Sequence, residues 1–338
     1  MKKISVFLSL YGLALLLSCT PSIPGTYISF SGPTQGTTYQ VTYQSDDSIV
    51  YQKQVEELLH QFDMSLSTYE PSSLISMINR DIPGVRPDSF FTAVFNASYL
   101  IWKESEGALD ITVAPLVNAW GFGFTEPASI DSALIDSLLQ YVGMDMVRIE
   151  NGFVVKDKKG IMFDVNAIAQ GYAVDVVASY FEKKGINNYL VEIGGEVRTK
   201  GMNSRGEAWR VGIDKPIEGL QLPGVQIEAI VSLSGRALAT SGNYRRFYIK
   251  NGVKYSHTID PKTGYPVQHH LLSATVLARD CMTADGFATA LMVMGVEKSI
   301  TLLQRRPDLE AYLIYNDEAG TYRVYCTRGM KKLLQKGG

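Results

Sequence analysis

Asp164-Val165-Asn166-Ala167-Ile168-Ala169-Gln170-Gly171-Tyr172-Ala173-Val174-Asp175 reads as a strand running straight into a helix, and the rest of the chain is organised around it. Before it lies the apolar run Gly160-Ile161-Met162-Phe163; after it Val165, Ile168, Ala169, Tyr172, Val176, Val177 and Tyr180 recur at helical spacing until Gly185 stops the helix. A strand feeding a helix start offers unpaired backbone N–H groups and the positive end of a helix dipole, which suits a phosphate. A buried core helix has the same pattern, so this stretch alone leaves both readings open.

Upstream, residues 26 to 44 alternate around Gly36-Thr37-Thr38-Tyr39 as strands. An amphipathic helix is expected from about Asp47 to Ser65, capped by Asp46 or Asp47, with Val55, Leu58, Leu59 and Phe62 inward. A short helix near Ser72 to Asn79 and another from about Ser89 to Ser105 follow, the latter with Phe91, Val94, Phe95 and Trp102 on one side. The glycines and aromatics from Gly107 to Phe124 suit either a pocket for a planar ring or a core turn packed by Trp120. Asn151-Gly152 and Asn251-Gly252, each flanked by β-forming residues, announce two hairpins. Strands are also expected over Tyr189 to Ile193, Val197 to Lys200 and Trp209 to Ile213, so the class is α+β with much antiparallel sheet and no regular βαβ rhythm.

Two downstream segments carry possible chemistry. His257, one of 4 histidines, ends the second hairpin before the tight turn Asp260-Pro261-Lys262-Thr263-Gly264. There it could serve as a rigidly held general base or as an ordinary structural strand residue. Beyond the strand Ser273 to Ala278, Thr283 is a plausible cap for a helix on which Asp285 and Thr289, four apart, share a face. Their hard oxygens fit Mg²⁺ with substrate phosphates better than zinc; an Asp favoured by the helix dipole and a Thr bonded back to its own helix is the other reading.

At the start, Met1-Lys2-Lys3, an apolar segment to residue 17 and Leu16-Leu17-Ser18-Cys19 form a lipoprotein-type signal. Residues 1-18 are thus expected to be removed, Cys19 to carry lipid, 19-25 to be a tether and 26-338 to be the working domain. Without Lys2 and Lys3, 30 basic residues stand against 34 acidic ones, a net charge of −4 that argues against nucleic acid as a partner. With 46% hydrophobic residues in 338, the chain can bury a large core. Cys281 and Cys326 could pair or remain buried thiols, and their spacing suggests no metal site.

Taken in order, Thr34-Gln35-Gly36-Thr37, Ser67-Thr68-Tyr69, Ala108-Leu109-Asp110-Ile111-Thr112 through Trp120-Gly121-Phe122-Gly123, Asp164 to Asp175, Gly194-Gly195, Thr240-Ser241-Gly242-Asn243-Tyr244, His257 to Gly264 and Ala284-Asp285 to Thr289 closely resemble the ApbE family of FAD:protein FMN transferases. The resemblance covers nearly all of the chain after the signal. It implies a T-shaped α+β fold holding FAD between its lobes and Mg²⁺ at the pyrophosphate. It places Gln35, Tyr69, Ala108, Leu109, Asp110, Asp164, Gln170 and Ile259 at FAD, the Ala167 carbonyl with Asp285 and Thr289 at the metal, and His257 as the base. Gln35 stands where Met is common in the family, and Gln170 where Lys often stands. The implied reaction moves FMN from FAD to a Thr or Ser of a partner protein and releases AMP. The implied partners are acceptor proteins of flavin-dependent membrane redox complexes, met from a lipid-anchored position on the bacterial cell envelope facing the periplasm. An FAD pyrophosphatase and a non-enzymatic flavin-binding lipoprotein are the competing readings.

Overall fold

The computed structural model describes residues 25–123, 130–217, 224–244, 247–250 and 253–335. Eight strands form one antiparallel sheet in the spatial order Thr26–Thr34, Thr37–Ser45, Tyr189–Ile193, Glu196–Lys200, Ala237–Gly242, Leu271–Ala278, Glu310–Asn316 and Tyr322–Cys326. Tyr39, Val41 and Tyr43 point inward from one strand and Tyr189, Val191 and Ile193 from its neighbour, the period-2 pattern of a sheet with one face on a core. That face is covered by the helices Gln52–Leu66, Ser89–Glu104, Ala169–Lys183 and Cys281–Met294. Phe181, fully buried, meets the Tyr43 ring at 4.8 Å between centroids, tying helix to sheet.

On the other face Val197, Leu238, Leu277 and Ile314 pack under the hairpin Trp209–Asp214/Ile227–Leu233 and the helix Arg328–Leu333. Leu271–Ala278 is therefore buried on both sides and reads as an almost continuous apolar run. A third, smaller cluster joins Leu116, Trp120, Ile135 and Ile259. It unites the helices Ala114–Ala119 and Ser132–Leu139 with the segment after Ser256.

Several sequence expectations need correction. Ile161 to Asp164 is not a strand: Met162 makes a single parallel bridge to Val113, and the helix begins only at Ala169. Its buried side is wider than the expected stripe and includes Gly171, Val174, Asp175, Ala178 and Phe181, because the helix touches the sheet and two other helices at once. The helix expected from Asp47 starts at Gln52; Asp47 instead accepts bonds from Ser45 and Ile49. Asp280, not Thr283, caps the later helix by accepting from the Thr283 N–H at 2.8 Å. Both Cys281 and Cys326 are free thiols. Asn151-Gly152 does turn its hairpin, with φ of 52° and 76°, whereas Asn251-Gly252 lies outside the described residues although its flanking strands pair. Among the described residues no helix is long and apolar enough to cross a membrane.

His269, half-buried just before the strand at Leu271, accepts a hydrogen bond from the Leu271 N–H at 3.3 Å through Nδ1. Burial holds its pKa below the ordinary 6.5, against an opposing pull from the Met292 and Val293 carbonyls. The folded state thus resists protonation at this ring. Stability is fully present above the unfolded pKa and declines as pH falls from about 6.5 towards the lower folded value. In His269→Asn, whose amide oxygen can take the place of Nδ1, the thermal midpoint is expected to fall less steeply between pH 7 and 5 than in the parent; equal slopes would remove His269 from the acid response.

Candidate active site

The helices Ala169–Lys183 and Cys281–Met294 pack together and approach tightly at Gly171. A Cβ on Gly171 would strike the Cys281 carbonyl and come within 2.7 Å of the Asp285 Cβ, so only glycine allows the two backbones this near. The contact aligns the first turns of both helices. Gly171, third residue of its helix, donates its N–H to Asp285 Oδ2 at 2.9 Å. One turn beyond Asp285, the Thr289 hydroxyl lies 3.5 Å from the Ala167 carbonyl oxygen and 3.0 Å from Ser241 Oγ. The structure therefore brings the three predicted metal ligands to one place, from segments more than a hundred residues apart in sequence.

The phosphate reading of the first helix start changes with this geometry. Its Ala169 N–H is bonded to the Val165 carbonyl and its Gly171 N–H to Asp285, so part of the donor set expected to face an anion is satisfied within the protein. What converges there is oxygen. Asp285 is 5% exposed, and burial, with the Asp175 carboxylate adding to it, holds its pKa above the ordinary carboxylate range. A carbonyl, a hydroxyl and one carboxylate form a hard-oxygen set for Mg²⁺, with the remaining positions left to water and substrate phosphates. A cation there would also relieve the cost of an ionised, buried Asp285. These residues fit the metal that the resemblance implies, although among the described residues no group of three or more His, Cys, Asp or Glu gathers as a metal site.

Asp164 and Tyr69 line a cleft of about 240 Å³ together with Asn79, Asn118, Gly123 and Asn166. Tyr69 is 60% exposed and offers a ring face there. Asp164 donates its N–H to the Ile111 carbonyl at 2.7 Å, and its Oδ1 accepts from the Asn166 N–H. Burial raises its pKa. Asn166, which lines the cleft, is the residue before Ala167.

The remaining predicted contacts are placed less directly. Ala108, Leu109 and Asp110 are all buried, and the Asp110 carboxylate is committed to its own fold. Its Oδ1 accepts from the Thr112 N–H and hydroxyl, and its Oδ2 from the Met144 N–H. Burial also raises the Asp110 pKa, against those hydrogen bonds. Any ligand contact from this triplet would fall mainly to its backbone. Asp110 also borders a second cleft, of about 550 Å³, with Trp102, Gly107 and Lys262. Gln170 packs over Gly194, where a Cβ would meet its amide at 2.6 Å. Gln35, in the turn of the first hairpin at φ 49°, donates to Asp63 Oδ1 at 3.2 Å. Ile259 is buried against the Trp120 cluster and bridges to Pro266.

His257 is half-buried, its ring edge-on to Phe122 at 6.4 Å. Phe122 is the residue before Gly123, which lines the Tyr69–Asp164 cleft; His257 itself does not line it. Trp120 turns out to be core: its Nε1 donates to the Gly264 carbonyl and it stacks on Tyr255, fixing the turn that follows His257. Sequence reasoning passed over Gly171, Asn118 and Asn166 individually. A glycine inside an amphipathic helix was the available signal for the first; nothing in the pattern distinguished the two asparagines.

Fold and site together define an α+β protein with a hard-oxygen centre where two helix starts meet beside a cleft. The model of the ApbE family matches residues 35–313. An FAD:protein FMN transferase of Vibrio cholerae is 37% identical over 97% of this chain and 98% of its own length. One from Haemophilus influenzae is 37% identical over 91% of this chain and 92% of its own length. The solved structure of the flavin transferase ApbE from Vibrio cholerae superposes with a TM-score of 0.82 at 35% identity, covering 92% of this chain and 100% of that one. The chain belongs to the ApbE family.

Proposed function

We propose that this protein breaks the pyrophosphate of FAD, joins FMN through its phosphate to a Thr or Ser hydroxyl of a partner protein, and releases AMP. The observation that carries this reading is the meeting of the Ala167 carbonyl, the Thr289 hydroxyl and Asp285 next to the cleft of Tyr69 and Asp164. The names of full-length relatives support it.

Tyr69 gives a flavin or adenine ring a surface to stack on, and Asp164 keeps Oδ2 to accept from a substrate N–H or hydroxyl. Ala167, Asp285 and Thr289 would hold Mg²⁺, which when bound neutralises charge on the phosphates. His257 takes the proton of the acceptor hydroxyl as its oxygen attacks the FMN phosphorus. The bond from that phosphorus to the bridging oxygen breaks, and the electron pair leaves with AMP. A docked acceptor raises the effective concentration of its hydroxyl over water. The test is incubation with FAD, Mg²⁺ and a candidate acceptor domain, following acceptor mass and AMP together. An FMN adduct with matching AMP supports transfer; AMP at the same rate with no adduct on any acceptor makes the protein a pyrophosphatase, and neither product makes it a flavin binder.

The proposal extends to place and partner. Cys19 would carry lipid after removal of residues 1-18, anchoring the enzyme at the cell envelope towards the periplasm, within reach of acceptor proteins in membrane redox complexes. Intact-mass analysis of membrane-extracted protein is expected to give a chain beginning at an acylated Cys19; a chain retaining residues 1-18 would defeat this assignment.

A further inference from the structure

Asp175 lies in the middle of the helix Ala169–Lys183, 6% exposed, and takes no part in the chemistry above. Its Oδ1 accepts from the Cys281 N–H at 2.9 Å and its Oδ2 from the Met282 N–H at 2.8 Å, the first two donors of the neighbouring helix. Arg198, from the strand Glu196–Lys200, donates Nη1 to Oδ1 at 2.7 Å. With Asp280 taking the Thr283 N–H, the N–H groups of the first three helical residues, which have no partner within the helix, are all satisfied by carboxylates.

The two helices therefore exchange carboxylates: Asp285 of the second receives a donor from the first turn of the first, and Asp175 of the first receives two donors from the first turn of the second. The glycine at their crossing permits approach but supplies no side chain to interlock, so at that point the register of the second helix on the first is held by hydrogen bonds rather than by interdigitated side chains. A carboxylate gripping two successive N–H groups sets it. Cys281 is fully buried, which leaves no water to take the place of this grip. Asp280 cannot perform the task, because it belongs to the helix being oriented.

We propose that Asp175 is the positioning residue of the oxygen centre: held by Arg198, it fixes the first turn of the helix Cys281–Met294 against the helix Ala169–Lys183 and so sets where Asp285 and Thr289 stand relative to the Ala167 carbonyl. The inference rests on the metal-dependent reading of that centre. A misplaced ligand set binds its cation more weakly while the chemistry of each ligand is unchanged, and loss of outer partners of metal ligands costs about 10- to 100-fold in affinity.

The experiment uses the full chain with FAD, titrating Mn²⁺ by the loss of its free spin-resonance signal and, in parallel, the Mg²⁺ dependence of AMP release. Asp175→Asn replaces one accepting oxygen with an amide that cannot take the Met282 N–H. It is expected to raise the Mn²⁺ dissociation constant and the half-saturating Mg²⁺ by about tenfold or more, with the rate at saturating Mg²⁺ recovering to within a few-fold. Arg198→Gln, which leaves the carboxylate but frees it, is expected to shift both in the same direction by less, and decides the matter if Asp175→Asn does not fold. A folded variant with a lowered thermal midpoint and unchanged Mn²⁺ affinity would reduce Asp175 to a purely structural role and overturn the inference. Absence of Mn²⁺ binding by the parent protein would overturn the metal-dependent reading itself, and the inference with it.

Discussion

Asp285→Ala is expected to slow AMP release from FAD by about 10²-fold or more at low Mg²⁺, since even outer partners of metal ligands cost up to that much and Asp285 supplies the only charge among the three ligand positions. Thr289→Ala should lose less, because a neutral hydroxyl contributes less attraction and water can take its place. The Asp285 substitution has opposing effects on stability. It removes a buried carboxylate whose ionisation burial disfavours, and it leaves the Gly171 N–H without its acceptor, a loss of about 1–3 kcal/mol if no water enters. The protein should therefore remain folded, and a thermal melt alongside the assay separates lost chemistry from lost structure. Near-parental AMP release by folded Asp285→Ala protein at low Mg²⁺ would remove this residue from the centre.

His257→Ala should cut FMN transfer to an acceptor by about 10²-fold or more, the ordinary contribution of a positioned general base, while FAD affinity stays close to that of the parent. The ring meets the edge of Phe122 rather than filling the Tyr69–Asp164 cleft, so its removal leaves the residues lining that cleft in place. Acceptor mass followed over time gives the rate, and FAD fluorescence gives the affinity. An unchanged transfer rate would mean that another group takes the proton, whereas a large loss of FAD affinity would mean that His257 binds substrate instead.

Much of the architecture was legible because it rests on short-range patterns. Alternation in Thr37–Ser45 and Tyr189–Ile193, the Asn151-Gly152 turn and the stop at Gly185 each encode their element locally. Helix starts were harder to read: Asp47 and Asp280 are equally good caps by residue type, yet one accepts from a loop N–H two residues on and the other caps a helix. The chemical site was legible through order and resemblance rather than through spacing, since Asp285 with Thr289 has the same pattern as a residue favoured by a dipole beside one bonded to its own helix. Asp110 has a second use that its place in the motif did not disclose. Its position in the motif is that of a ligand contact, and its carboxylate also accepts from Thr112 and Met144 within the fold. The Asp175 contacts with Cys281 and Met282 were invisible because a lone Asp within an apolar helix face has no local signature of the helix it will touch 106 residues later.

The hydrogen bond from Gly171 to Asp285 spans 114 residues of chain, with four strands of the main sheet laid down in between. The entropy of closing so long a loop grows only logarithmically with length, so the distance itself is affordable, but it cannot be recovered until the intervening strands have paired. No partially folded chain can own the centre. A chain ending before residue 285 lacks both Asp285 and Thr289, and in a longer one they meet Ala167 and Gly171 only where the two helices are docked. The centre is thus a property of the whole tertiary fold and of no single segment within it.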